Sequence, residues 1–154
     1  MATTDHLTGL WNRRYLDQAV TAAIAAMPAE ICILAIDLDR FKAVNDTFGH
    51  EAGDLVIQEA GRRIREACGP HAVVARIGGD EFAALVPEGR VAAEQTAWRI
   101  AGLMRAPIIV EGGPAHVGAS VGVALVAAED TVGSLNRRAD EAMYQVKAAS
   151  KKAA

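Results

Sequence analysis

Cysteine is scarce and unpatterned: only Cys32 and Cys68 occur, with no CxxC and no Cys/His spacing suited to zinc. A disulfide framework and a structural zinc site are excluded as the basis of the fold. Both thiols read as buried groups in a reducing compartment. The four histidines, His6, His50, His71 and His116, are scattered and form no metal-ligand cluster. His50, near a helix start, reads as a structural hydrogen-bonder. Positive charge is not in excess either: 16 Lys and Arg against 19 Asp and Glu leave a net charge of −3, and no basic run interleaves with aromatics. Binding over a broad nucleic-acid surface is therefore not expected. The longest apolar runs, such as Ile31 to Ile36, fall far short of the roughly 20 residues that span a bilayer. No signal-peptide pattern opens the chain, so the expectation is a cytoplasmic domain. Neither a G-x-S-x-G elbow nor a GxxxxGK[ST] phosphate loop is present.

What is present suits one domain. At 154 residues the chain is long enough to bury roughly 68–70% of its unfolded surface without staples. Apolar positions at Tyr15, Leu16, Ala19, Val20, Ala23 and Ile24 recur at helical spacing and predict a helix over 12–26, capped by Asn12 and stopped by Pro28. Ile31 to Ile36 is apolar on both strand faces, the pattern of a central strand covered on two sides, and it ends at Asp37. Helices are predicted over 39–47 and 52–67, the second with Leu55, Val56, Ala60 and Ile64 inward. A hairpin over 72–77 and 81–86 follows, then a helix over 90–105 and a turn-rich segment with Gly112-Gly113-Pro114. An apolar strand from Val117 to Val126 and a helix over 132–149, with Leu135, Ala139, Ala142, Met143 and Val146 on one side, complete the chain. The order αβααββαβ(β)α predicts an α/β or α+β sandwich around one sheet.

The most informative stretch is Gly78-Gly79-Asp80-Glu81-Phe82, set between two apolar runs. A Gly-Gly pair there reads as a tight turn, because glycine supplies the positive φ that hairpin turns require. Two acids follow a turn without side chains, an arrangement suited to close approach by phosphates and a metal. If the strands carrying Asp37 and Asp80 are neighbours, their carboxylates meet. Mg²⁺ is usually held by one or two carboxylates, with phosphates and water completing its shell. The plainer alternative is that Asp37 caps the helix at 39–47 and Glu81 is a solvated strand residue. Lys42, Lys147 and Lys151 are candidate triphosphate contacts, the last two one helical turn apart, although each alone also reads as an ordinary surface lysine. Asn45 and Asp54 flank Phe48-Gly49-His50. A carboxylate there can accept from the N1–H and amino group of guanine, a donor pair that adenine lacks, and such sites discriminate on the order of 10⁴-fold or more. Alternatively, Asp54 is an acid favoured by the helix dipole.

Six ordered blocks then add up. They are Asp5-His6-Leu7-Thr8-Gly9-Leu10-Trp11-Asn12-Arg13-Arg14, the run from Asp37 to Asp46, and Phe48-Gly49-His50-Glu51-Ala52-Gly53-Asp54. Arg76 to Phe82, Ser120 to Ala124 and Ala139 to Lys147 follow. Together they resemble the GGDEF family of diguanylate cyclases over nearly the whole chain. The resemblance implies a palm-like fold, similar to nucleotidyl cyclases and polymerases, with a mainly antiparallel five-stranded sheet surrounded by helices and a β-hairpin carrying the signature. It implies condensation of two GTP into cyclic di-GMP with release of pyrophosphate. Asp37 and Asp80 would bind the metals with help from the Leu38 carbonyl, two Mg²⁺ or Mn²⁺ per half-site, and Glu81 would be needed for activity. Asn45 and Asp54 would read guanine; Lys42, Lys147 and Lys151 would hold phosphates. Phe41, Gly78 and Gly79 would line the substrate, with the 39–42 backbone cradling phosphate at a helix N-terminus. Each 3′-hydroxyl would attack the α-phosphate on an opposing subunit, so catalysis would need a homodimer.

Two departures from the family pattern carry expectations. Where many members have an inhibitory Arg-x-x-Asp product site, this chain reads Gly69-Pro70-His71-Ala72, so no inhibitory product site is expected. The usual Gly-Arg near the last helical lysine is replaced by Ser150-Lys151, which keeps the charge but loses the planar fork. The chain reads as one domain, 1–154, of a longer regulated protein with a sensor or EAL-type neighbour, monomeric and weakly active when isolated. The parent protein is free to be membrane-anchored. The competing functions are a GTP-binding module that regulates a neighbouring phosphodiesterase without turnover, and a purely structural dimerisation module. Without metal, Asp37 and Asp80 are expected to repel, so Asp37→Asn should stabilise the apo domain.

Overall fold

β1 (Cys32–Asp39) alternates its side chains between two cores, and that alternation organises everything else. In this computed structural model, which describes residues 2–27 and 29–153, Cys32, Leu34, Ile36 and Leu38 face one core while Ile33 and Ala35 face the other. The elements in order are α1 (Arg13–Ala26), β1, α2 (Phe41–Phe48), α3 (His50–Cys68), β2 (Val73–Gly78) and β3 (Glu81–Val86). They continue with α4 (Arg90–Met104), β4 (Ile108–Val110), β5 (Gly113–Ala115), β6 (Gly118–Leu125) and α5 (Val132–Ala153). The main sheet has strand order β2-β3-β1-β6, and every pairing in it is antiparallel. Among the described residues the main sheet has four strands where five were expected, and β4 and β5 form a separate two-stranded ribbon where only a turn-rich segment was expected.

One face of the sheet packs on α3 and α4 through Val56, Ile57, Ala60, Ile64 and Ile100; the other packs on α1 and α5 through Leu16, Val20, Leu135 and Ala139. Both thiols are buried, as expected; burial pushes Cys32 up to about 11 and Cys68 to about 12. Two expected inward positions are not inward: Leu55 is 50% and Val146 44% exposed. On α3, Ile57 takes the core position instead, because the helix starts at His50 and its buried stripe runs through Gly53, Val56, Ile57 and Ala60. Asn12 caps α1 through its side-chain oxygen, which accepts from the Tyr15 N–H. The expected stop at Pro28 lies outside the described residues.

Two packing details set the height and reach of the helices. α5 lies so close to β6 that a Cβ on Gly122 would overlap the backbone of Met143 and Ala139. Lys147, one turn beyond Met143, is thereby carried over the end of β1. α1 packs on β2 and α5 on β6, so a cleft of about 540 Å³ remains between them. Ala35 and Ala83 lie in its wall, and Glu81, Asp140 and Lys151 are among the residues around it.

Candidate active site

Side-chain alternation alone puts Asp37 and Asp39 on the α5 side of β1, in line with Ile33 and Ala35. The register then completes a row: Asp37 is paired with Glu81 on β3 and with Ser120 on β6. β1 runs two residues beyond the expected end at Asp37, and the strand passes into α2 through Arg40, in the left-handed region at φ 64°. Asp37 is therefore a paired strand residue and not a helix cap. Arg40 makes no side-chain cap hydrogen bond to α2. The first-turn N–H groups at Phe41 and Lys42 thus have no side-chain acceptor from that position, as an anion cradle requires.

The hairpin turn differs slightly from expectation. Gly78 closes β2, Gly79 alone takes positive φ (51°), and Asp80 lies in the turn itself, before the strand that begins at Glu81. A bulge between Arg76 and Gly78 makes room for this. Nothing lies within 4 Å of where a Cβ would stand on Gly78 or Gly79, so open space flanks the turn. The Leu38 N–H donates to the Asp80 carbonyl at 3.2 Å, tying the turn to the end of β1. Arg76 fastens it from the other side. Its Nε and Nη2 donate to the Gly79 carbonyl at 3.0 and 2.9 Å, and its Nη1 to Asp5 Oδ1 at 3.1 Å. Asp5 in turn accepts from the Thr8 N–H and hydroxyl. No role was assigned to Arg76 or Asp5 from the sequence, although both lie inside quoted blocks; the signal was a cation two residues before the glycine pair.

Charge in the row is unevenly balanced. Burial raises the Asp80 carboxyl above its ordinary range, and the Asp37 charge raises it further. Glu81 is raised by the same causes in the same order, with Asp80 and Asp140 adding to them. Lys147 is the counter-ion: its Nζ donates to Asp37 Oδ2 at 2.6 Å and lies 3.7 Å from Asp39 Oδ1. Burial disfavours the Lys147 charge, but the Asp37 bond and the surrounding acids outweigh that and raise its pKa. Asp39 Oδ1 also accepts from the buried Ser120 hydroxyl at 2.8 Å. The repulsion expected between Asp37 and Asp80 is thus partly neutralised, and Asp37→Asn would take from Lys147 its nearest counter-charge and leave the more distant Asp39, so the expected stabilisation of the apo domain does not follow.

The donor set fits a hard cation. Asp37 and Asp80 supply oxygen only, and among the described residues no group of three His, Cys, Asp or Glu stands at metal-ligand spacing. Oxygen donors are what a hard cation such as Mg²⁺ or Mn²⁺ takes, with phosphate and water completing its shell, whereas structural zinc takes nitrogen and sulfur.

A second polar centre lies on α2 and α3. Asn45 presses on Gly53: a Cβ there would overlap Asn45 Oδ1 and stand 3.3 Å from Phe41 Cζ. Asn45 Oδ1 is buried against Gly53 and has no hydrogen-bond partner, an uncommon state for a buried polar atom. Asp54, the next residue after Gly53, is exposed, as is Lys42. The structure brings Asn45, Gly53, Asp54 and Phe41 together; the seat that Gly53 provides was not anticipated. Lys147 and Lys151 line the α1–α5 cleft with Asp37 and Glu81, whereas Asn45, Asp54 and Lys42 are not among its lining residues.

The sequence profile of the family described as diguanylate cyclase, GGDEF domain, matches residues 2–153. The response regulator PleD of Caulobacter vibrioides is 40% identical over 99% of this chain, which spans 36% of that protein. The diguanylate cyclase DgcP of Pseudomonas aeruginosa is 32% identical over 97% of this chain and 23% of its own length. The chain thus covers only a minor part of these curated relatives. Among solved structures, a sensory box/GGDEF family protein from Caulobacter crescentus superposes with a TM-score of 0.88 at 35% identity, over 96% of this chain and 99% of that one. The GGDEF domain of DgcB from Caulobacter crescentus, solved in complex with c-di-GMP, gives 0.87 at 32% identity, over 97% and 92%.

Proposed function

Because the chain belongs to the diguanylate cyclase GGDEF family, we propose that it condenses two GTP into cyclic di-GMP and two pyrophosphates as one half of a homodimeric reaction centre. The observation that supports this most is the row Asp37, Glu81 and Ser120 with Lys147 above it, ending beside the Asp80 turn. Acids beside a cation are the groups that a metal–triphosphate complex calls for.

In this reading Asn45 and Asp54 select guanine: the exposed Asp54 carboxylate can accept from its N1–H and amino group, and the Asn45 amide, seated against Gly53, stands beside it. The α2 N-terminus at Phe41 and Lys42 receives phosphate oxygens, and Lys147 and Lys151 hold the far end of the triphosphate. Asp37 and Asp80, with the Leu38 carbonyl, would hold two Mg²⁺ or Mn²⁺, which supply Lewis-acid stabilisation of the developing phosphate charge. The 3′-oxygen of one GTP forms a bond to the α-phosphorus of the GTP on the partner subunit. The bridging α–β bond breaks, pyrophosphate leaves, and the hydroxyl proton is released; the reciprocal displacement closes the ring. Because each domain aims one GTP, an isolated copy is incomplete.

Residues 1–154 act as one unit of a longer cytoplasmic regulator. Among the described residues no helix is long and apolar enough to cross a membrane. The test is a forced dimer, made by fusing the chain to a coiled coil and incubated with GTP and Mg²⁺. Cyclic di-GMP is expected. GTP binding without product would replace the cyclase with a GTP-binding regulatory domain.

A further inference from the structure

Lys147 has two claims on it. Its Nζ lies 2.6 Å from Asp37 and 3.7 Å from Asp39, and the Lys147–Asp37 pair is mostly shielded, with side-chain exposures of 25% and 17%. Asp37 is also the carboxylate assigned above to the metal, and Lys147 the cation assigned to the triphosphate. One Asp37 oxygen cannot serve the ammonium and a divalent ion at full strength, because the two cations repel at contact distance.

We infer that Lys147 is a built-in competitor of the metal: it holds Asp37 until nucleotide phosphates draw it away, and this exchange makes metal and GTP binding mutually dependent. The inference rests on the metal assignment proposed above. Three features support it. The position of α5 is rigid, because Gly122 lets its backbone seat directly on β6, so Lys147 cannot be relocated by sliding the helix. Its four-carbon stem can swing the ammonium while the helix stays fixed. A second cation, Lys151, stands one turn further on, exposed, in the same cleft, so phosphates arriving there meet a cation that is not tied to Asp37. Before substrate arrives, Lys147 offsets part of the acid charge in the row; afterwards the metal does so, and Lys147 turns to the phosphates. By linkage, whatever factor the nucleotide adds to metal affinity, the metal adds to nucleotide affinity.

The experiment measures Mn²⁺ affinity by calorimetry and by thermal shift, without nucleotide and with a non-hydrolysable GTP analogue. Wild type is compared with Lys147→Met, and with Lys147→Gln should the methionine variant not fold. Losing a charge-assisted bond of this kind is expected to tighten Mn²⁺ binding without nucleotide roughly 10- to 100-fold. The apo melting temperature should fall as the acids lose their counter-ion, and the nucleotide should no longer strengthen metal binding beyond what its own phosphates contribute to both proteins. Lys147→Arg, which keeps the competing charge, should resemble wild type. Equal or weaker Mn²⁺ binding by the neutral variants would overturn the inference. Asp37→Asn separates this from the wider reading: if it retains wild-type Mn²⁺ affinity, Asp37 is not a metal ligand and the site assignment itself fails. If it loses Mn²⁺ while the Lys147 variants gain none, only the exchange is refuted.

Discussion

Gly53→Ala is the most discriminating perturbation, because it changes stability and nucleotide binding through separate causes. Gly53 is buried within α3, where alanine is favoured over glycine by about 0.5–1 kcal/mol. The added methyl would overlap Asn45 Oδ1 and lie 3.0 Å from Asn45 Cγ and 3.3 Å from Phe41 Cζ. The backbone of α2 need not move, since the obstruction is the end of a side chain. Asn45 must rotate out of its seat, at about 0.5–1.5 kcal/mol for an off-rotamer side chain. Its oxygen has no partner to lose. The two contributions nearly cancel, so folding stability should change by less than about 1 kcal/mol. Guanine recognition has no such compensation. If Asn45 reads the base as proposed, displacing its amide removes hydrogen bonds worth about 1–3 kcal/mol, a loss of roughly 5- to 150-fold in GTP affinity. Calorimetry with a non-hydrolysable GTP analogue reads the second effect and thermal melting the first. Asn45→Ala should weaken binding similarly, and the double variant little further, since both act on one contact. Unchanged GTP affinity in Gly53→Ala would refute the assignment of Asn45 to the base. A large fall in melting temperature would show that Gly53 serves packing instead.

Arg76→Met should loosen the signature turn: it removes two bonds to the Gly79 carbonyl and the Asp5 ion pair, whose side chains are 18% and 17% exposed. We expect a cost of about 1–3 kcal/mol in thermal denaturation and faster amide exchange at Gly79 and Asp80. Glu59 is held near pKa 2, from an ordinary 4.5, first by its bond from Arg62 and also by Arg63. Its folded pKa is depressed, so its contribution is complete above pH 4.5 and is lost as pH falls toward 2. The stability advantage of wild type over Glu59→Gln should shrink across that window in acid titrations followed by circular dichroism. Because Gly69-Pro70-His71-Ala72 offers no Arg-x-x-Asp pair, added cyclic di-GMP should leave the initial rate of the forced dimer unchanged. Inhibition without competition against GTP would show a product site elsewhere.

Much of the site was legible because its residues lie in short runs whose chemistry needs adjacency. The glycine pair next to two acids, the apolar run leading into Asp37, and two lysines one turn apart can all be recognised without coordinates. Helices with long amphipathic stripes were legible from their spacing, as α1 and α5 show. The β4–β5 ribbon was not, because its three-residue strands are too short for a period. Leu55 and Val146 were misplaced inward because an apolar residue at the margin of a stripe is assigned to core or solvent by its neighbours, not by its spacing.

Sequence alone determined the chemical inventory: which acids, amide and lysines were available, and that β1 would be buried on both faces, since an unbroken apolar run cannot satisfy itself with only one covered side. Tertiary structure alone decided who meets whom. The antiparallel register sets Glu81 and Ser120 beside Asp37, the missing side chain at Gly53 seats Asn45, and the missing side chain at Gly122 lowers α5 until Lys147 reaches Asp37. The contacts at Asp37 join residues far apart in the chain, and that between Asn45 and Gly53 joins two helices across a corner; such distances are set by packing, which local propensity does not encode.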